Sequence, residues 1–388
     1  IVDNRPGASS NIATEVAAPN AVAVDAASRF PVEAMDALKE AGLLGALVPQ
    51  ELGGPAADFA TIFAICHLLG NHCASTAMIF AMHQIQAACV LLHRGDVEWQ
   101  HRFLGRIASD QLLLASATTE AGIGGDLSRS SCAVNRDGDR FTLEKRGTVI
   151  SYGDQADAIL ITARTGPNAM PTDQVIAVAL KDECTLEKTG GWDALGMRGT
   201  CSNSYLLRAQ GHVDQVIPAP YAEISPRTMV PVAHLTWSSL WLGIATDAVS
   251  RARAFVRKQA QPAGEGAQPS MNAMRLADAV SKLQSMKANI VAAARLHEEA
   301  LKDPDGGPIS FSIAMNNLKT STAYRAVEVV NQAMLICGIA GYKNDTPFSL
   351  GRHLRDAHSA ALMVNNDRID ANTASLLRVH KLDGDLFD

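Results

Sequence analysis

The sequence predicts a mostly α fold with a central β domain, in the order N-terminal helical domain, small β domain, C-terminal helical bundle. Three observations carry this. Apolar residues make up 47% and aromatics only 5% of the 388 residues, an alanine- and leucine-rich composition suited to packed helices. Helical periodicity governs residues 1–112 and returns from 223 to 388. Between them, 113–222 consists of short β-branched runs punctuated by Gly, Pro and Asp.

In the first domain, Pro31 to Glu40 reads as a helix with proline in its first turn and a stop at Gly42. Ala46 to Gly54 holds both breakers and reads as a turn. Ala60–Leu69 and Ala74–Leu92 are apolar on most faces, the pattern of helices enclosed by a larger body. In the second domain, Asn135-Arg136-Asp137-Gly138-Asp139 is a hairpin signal between 131–134 and 141–143. Ala158–Ala163 and Val175–Leu180 read as buried strands of a mostly antiparallel β domain. In the third, Leu276, Val280, Leu283, Met286, Ile290, Ala294, His297 and Leu301 recur every three or four residues as a core-facing stripe, and Gln261–Gly266 is expected as an exposed loop.

The net charge of −6, from 34 basic and 40 acidic residues with no long basic run, gives no footprint for nucleic acid or an anionic membrane. No apolar run reaches the roughly 20 residues of a membrane span. The seven cysteines (66, 73, 89, 132, 184, 201 and 337) are scattered, without C-x-x-C pairs, as in a reducing compartment. Cytoplasm is the expected location, with the mitochondrial matrix open because the chain starts at Ile1 without a methionine. Cys66-His67 and His72-Cys73 lack zinc-site spacing and read as helix neighbours; no metal is expected.

Several motifs follow one another at telling distances. Val48–Gly54 is a breaker-rich turn; Thr119-Glu120-Ala121-Gly122-Ile123-Gly124-Gly125-Asp126 is a glycine-rich turn whose N–H groups can approach a polyanion. Val149-Ile150-Ser151-Tyr152-Gly153, Leu195-Gly196-Met197-Arg198-Gly199-Thr200, Gly338-Ile339-Ala340-Gly341-Tyr342 and Arg352-His353-Leu354-Arg355-Asp356-Ala357 complete the series. Together they resemble the acyl-CoA dehydrogenase superfamily over essentially the whole chain. The resemblance implies a barrel-like antiparallel β domain, a C-terminal four-helix bundle, and FAD held between them in a homotetramer or homodimer.

By that resemblance the flavin and its pyrophosphate meet Thr118, Thr119, Gly124, Gly125, Val149, Ser151 and Asn366, with Ser151 at the N5 edge and Val149 in place of a tryptophan that covers the ring. Arg257 matches an arginine that binds FAD phosphate across a subunit interface, though Ala260-Gln261-Pro262 replaces the usual Phe-Gly. Gly338 and Gly341 match the loop under the adenine half, while Arg355 and Asp356 read as bundle-holding residues.

The chain departs from the family at the catalytic base. Dehydrogenation of a thioester needs a carboxylate of raised pKa at the α carbon. The position that carries the glutamate is Val364, and the alternative site holds Lys258 and Gln259. A carrier-binding arginine is also missing, with His234 near its place. His83 and Asp367 are the remaining candidates for a catalytic group. Three readings result. The first is a FAD-dependent oxidoreductase acting at Cα–Cβ of an acyl-CoA-like thioester, with an electron-transfer flavoprotein as acceptor. The second is a flavin monooxygenase of C4a-hydroperoxide chemistry, using FAD or FMN reduced by a flavin reductase. The third is a non-catalytic scaffold.

Overall fold

A computed structural model describes residues 5–123, 126–259, 268–303 and 307–381. The expected phosphate-loop glycines Gly124 and Gly125 and the expected loop Gln261–Gly266 lie outside the described residues.

The first part is helical: α1 (Arg5–Asn11), continued by a π-helical stretch into α2 (Ala18–Ala27), then α3 (Val32–Glu40), α4 (Phe59–Gly70), α5 (Ala74–His93) and α6 (Glu98–Ser109). Pro31 precedes α3 and Gly42 (φ +70°) follows it, as the breakers predict. Asp58 caps α4 by accepting from the Thr61 N–H at 2.8 Å. Helix α5 is long and apolar enough to cross a membrane but is enclosed by the rest of the fold.

Seven strands follow: β1 (Leu114–Ala117), β2 (Asn135–Asp137), β3 (Arg140–Ile150), β4 (Ala158–Arg164), β5 (Gln174–Leu180), β6 (Cys184–Gly190) and β7 (Asn203–His212). They make a three-stranded sheet β1-β4-β5, in which β1 and β4 run parallel, and an antiparallel four-stranded sheet β2-β3-β7-β6. The expected barrel does not close. The edge strands β2 and β6 are short or largely exposed and pair on one side only, so two open sheets face each other instead. The hairpin turn sits one step later than its sequence signal: Asp137 pairs with Arg140 around Gly138 (φ +59°), so Asn135–Asp137 is strand rather than loop.

The last part is built on α8 (Val230–Gln259), α9 (Met271–Ala300) and α10 (Ile309–Cys337), reached through the short α7 (Tyr221–Ile224) and a π-helical turn. Short helices α11 (Ile339–Tyr342), α12 (Gly351–His358) and α13 (Asn366–Leu376) close it, α12 and α13 packing on α10. The buried side of α9 is Ala279, Met286, Ile290, Ala293 and His297; Val280 and Leu301, expected in the core stripe, are 38% and 40% exposed. Ala279 takes the heptad position that Val280 misses by one residue. Helices α4 and α8 cross at glycine: a Cβ on Gly70 would lie 2.4 Å from the Leu240 carbonyl, and one on Gly243 2.5 Å from that of His67. One continuous apolar core runs through both helical parts and the sheets, so the junction where they meet is rigidly held.

Candidate active site

At that junction lies a cavity of about 420 Å³, walled by α5, the ends of β1 and β3, the 192–202 turn, the start of α8 and the segment after α12. The size suits a small-molecule site. Its apolar wall includes Met78, Met82, Trp192, Met229, Trp237 and Met363.

The 192–202 turn is fastened from several directions. Asp356 accepts from the Met197 N–H at 2.7 Å, and Arg355 pairs with Asp25 of α2. Gly196 lies so close to α12 that a Cβ there would sit 2.2 Å from the Arg355 carbonyl oxygen. Asp356 is buried, which pushes its carboxyl up to about 6 despite Arg352. The bundle-holding role read for Arg355 and Asp356 thus takes the form of a strap from α12 across the β-domain turn to α2.

Two hydroxyls on this turn and one just after β3 form a directional chain. Thr200 Oγ1 donates to the Met197 carbonyl at 2.8 Å, so it accepts from Ser202 Oγ at 2.7 Å. Ser202 has then spent its proton and accepts from Ser151 Oγ at 2.8 Å. Ser151, on the cavity wall, therefore faces a ligand as an acceptor only.

The residues read from the sequence as the flavin edge meet here: Thr118, Thr119, Val149 and Ser151 all line the cavity. Thr119 Oγ1 donates to the Val149 carbonyl at 2.9 Å and receives the Val149 N–H at 3.2 Å, locking the exit of β1 to the end of β3. Behind them Glu120 is buried and accepts from Ser130 Oγ at 2.8 Å and the Cys132 N–H at 2.9 Å, 3.7 Å from Lys145. This arrangement fits a planar ligand with polar edges, as the flavin ring is.

Other sequence candidates do not come to the cavity. His83 is fully buried beside it: its Nδ1 accepts from the Leu114 N–H at 3.1 Å, so Nε2 donates to the Leu44 carbonyl at 2.8 Å. With both nitrogens committed and burial pushing its pKa down to about 4, His83 is a structural pin between α5 and β1, which corrects its reading as a catalytic group. Asp367 is exposed in the first turn of α13 and does not line the cavity, a second correction. Asn366 is buried, its Oδ1 accepting from Lys319 Nζ at 2.6 Å, and it too is absent from the wall. Arg257 is exposed near the end of α8, and Gly338 (φ +55°) and Gly341 lie at the α10–α11 junction; a single chain does not bring these three to the cavity.

Val364 does line it, with the left-handed φ of +46° that a β-branched residue rarely adopts. Its carbonyl is held by Lys319 Nζ at 2.8 Å. Burial lowers the Lys319 ammonium to about 7. The sequence reading passed over Lys319, although its 3–4 spacing with buried Met315, Thr322 and Ala326 marks a charge in a core phase. Ser202 and His358 also line the cavity without a signal in the sequence reading, and so does His234, noted there only as standing near a missing arginine. No Asp or Glu lines the cavity among the described residues.

Comparison with known proteins agrees with the architecture. Residues 8–111 match the family described as acyl-CoA dehydrogenase, N-terminal domain, and residues 232–364 match its C-terminal domain. Cyclohex-1-ene-1-carbonyl-CoA dehydrogenase of Geobacter metallireducens is 26% identical over 92% of this chain and 93% of that protein. Butyryl-CoA dehydrogenase of Megasphaera elsdenii superposes with a TM-score of 0.83 at 19% identity, covering 97% of this chain and 98% of that one. The FMN-bound TdsC of Paenibacillus sp. A11-2 superposes at 0.84 and 19% identity, with the same coverage.

Proposed function

We propose, for a chain that belongs to the acyl-CoA dehydrogenase superfamily and so to the FAD-dependent oxidoreductases, that its reaction is flavin-dependent monooxygenation. One observation carries the reading: among the described residues the cavity wall has no carboxylate, and Val364 stands where the base of a thioester dehydrogenase is expected. An alkyl group cannot take an α proton. Insertion of oxygen needs no such base: O2 would take two electrons and two protons from reduced flavin and two electrons from the substrate, one oxygen atom entering the substrate and the other leaving as water.

Thr118, Thr119, Val149 and Ser151 would hold the ring; Arg257, Gly338 and Gly341 would serve the phosphate and adenine parts across a subunit interface, in a homodimer or homotetramer. Bound flavin supplies two-electron redox chemistry and, when reduced, reaction with O2. If Ser151 meets the N5 edge as the resemblance implies, its acceptor-only state matches the N–H that N5 carries in reduced flavin. The apolar wall keeps bulk water from the reacting centre. A flavin reductase is the matching electron source, and the cytoplasm the matching location.

The sequence order of preference, thioester oxidation first, is thereby reversed. It keeps one specific support: His358 lines the cavity and could stand in as a base, with an acyl-CoA as substrate and an electron-transfer flavoprotein as acceptor. Anaerobic mixing of the FAD-loaded protein with a panel of acyl-CoAs separates the two. No bleaching of the oxidised flavin band is expected. Mixing the dithionite-reduced protein with O2 should give a transient blue-shifted flavin spectrum that outlives the reoxidation of free flavin. Bleaching by any acyl-CoA overturns the proposal.

A further inference from the structure

The cavity wall contributed by α8 holds a polar atom to which no described residue bonds. His234 is 98% enclosed, at 2% exposure, and its Nδ1 lies 3.0 Å from the Met315 carbonyl. A carbonyl can only accept, so Nδ1 carries the proton and Nε2 carries the ring's lone pair. Among the described residues no group bonds to Nε2. It is also not one of the sealed, partnerless polar atoms, a set that does include Gln86 Oε1 and Trp237 Nε1 nearby. With neither a partner nor a seal, Nε2 opens onto the cavity that His234 lines.

The state of that ring is fixed by its surroundings. Burial first, and the Lys319 ammonium second, push its pKa down to about 3, so the imidazole stays neutral at physiological pH. So weak a base does not deprotonate an ordinary substrate. It can accept a hydrogen bond, and an acceptor left unpaired in a buried site costs binding free energy, so it discriminates strongly for a ligand that supplies the donor. Trp237 lies beside it, with ring centroids 6.4 Å apart, and the same cavity is lined by Met78, Met82, Tyr221 and Met229, a soft and polarisable wall that suits a flat apolar body.

We infer that His234 is a specificity-determining residue, and that the cavity takes an uncharged, apolar, ring-sized substrate bearing a hydroxyl or N–H donor, which Nε2 orients. This rests on the proposed flavin reading for its catalytic sense, but the binding claim stands on the cavity alone. An anionic group would set a lone pair against a lone pair in a low-dielectric pocket and is disfavoured there.

The test is a calorimetric titration of the protein, with and without FAD, against 2-naphthol, its O-methyl ether 2-methoxynaphthalene, and 2-naphthoate. 2-Naphthol is expected to bind about tenfold or more tighter than the other two. Steric exclusion of the methyl group could mimic this, so the same series is run on His234→Asn. Asparagine keeps a donor for the Met315 carbonyl but has no acceptor at the Nε2 position. In that variant the preference for 2-naphthol should vanish, its affinity falling to that of the ether while the ether's own affinity stays within about twofold. His234→Leu, scored the same way once circular dichroism shows it folded, guards against an amide that adapts. Equal binding of naphthol and ether by the unaltered protein overturns the inference. So does a preference that survives in both variants, or no binding of any probe. Failure of FAD to bind, with the naphthol preference intact, would instead overturn the flavin reading and leave this one standing.

Discussion

Lys319 shows how one side chain can shape the cavity without touching it. Its ammonium is sealed in the bundle, donates to the Val364 carbonyl and to Asn366 Oδ1, and lies 5.8 Å from the face of Trp241. The first of these contacts fixes Val364, on the cavity wall, and the second holds the start of α13 two residues on. Lys319→Met would leave a carbonyl and an amide oxygen buried without a donor, and is expected to cost about 2–4 kcal/mol in urea unfolding. It should also weaken flavin retention, because the 362–364 wall loses its anchor; a variant of unchanged stability would mean that Lys319 does not clamp Val364. Val364 carries the complementary strain. Asparagine tolerates left-handed φ better than valine, so Val364→Asn should stabilise the fold by about 1 kcal/mol. A destabilised variant would mean that valine's packing outweighs its backbone cost.

At the scale of elements, the strap from α12 to the 192–202 turn decides whether the cavity keeps its roof. Gly196→Ala sets a methyl against backbone, not against a side chain that could swing aside, and is expected to destabilise by about 3 kcal/mol or to detach the turn. Asp356 allows a sharper prediction. Because burial already favours its neutral form, Asp356→Asn should cost less than about 1 kcal/mol, while Asp356→Ala, which strands the buried Met197 N–H, should cost about 2–3 kcal/mol. Equal costs in a urea titration would show that charge, not the hydrogen bond, matters there. The strap was legible as a motif in Leu195–Thr200 and Arg352–Ala357, and local spacing sufficed for α3, α4, α5, β4 and β5. What spacing could not convey is how distant elements meet. Val280 has the right residue type but sits one place off the buried face of α9, and β2 and β6 have strand character without a neighbour to close a barrel. The same limit governed the site. That Thr118, Thr119, Val149 and Ser151 share one cavity wall follows from breaker-rich turns that bend the chain there. His83 was misread because a buried pin and a buried base share one residue type, and only its two main-chain partners tell them apart.

For the whole molecule, the buried imidazoles should set the response to acid. Burial holds His83 at about 4, His234 at about 3 and His297 at about 4, all below the ordinary histidine value. A base whose folded pKa is depressed gives stability that is complete above the unfolded pKa, about 6.5, and drains away as pH falls from there toward the folded value. Across this window the unfolded chain binds protons that the folded one refuses. Each ring can therefore withdraw up to about 2 kcal/mol between pH 7 and pH 5. Asp356 works in the opposite sense: raised to about 6, it is protonated in the folded state before the unfolded one, and returns about 1 kcal/mol over the same interval. Asp247, held low in spite of its burial by hydrogen bonding with His353 and by Arg251, loses its contribution only below the usual carboxylate range, beneath this window. These three rings, with His353 lowered by burial to about 4 as well, outweigh one carboxyl, so the urea midpoint should fall clearly from pH 7 to pH 5. The fall should be shallower in His297→Phe, where an aromatic ring among Phe59, Phe63 and Phe311 replaces the imidazole without a titrating group. A midpoint that stays level across that interval would mean these rings take up protons in the folded state, and that the helical parts open to water far more readily than their packing implies.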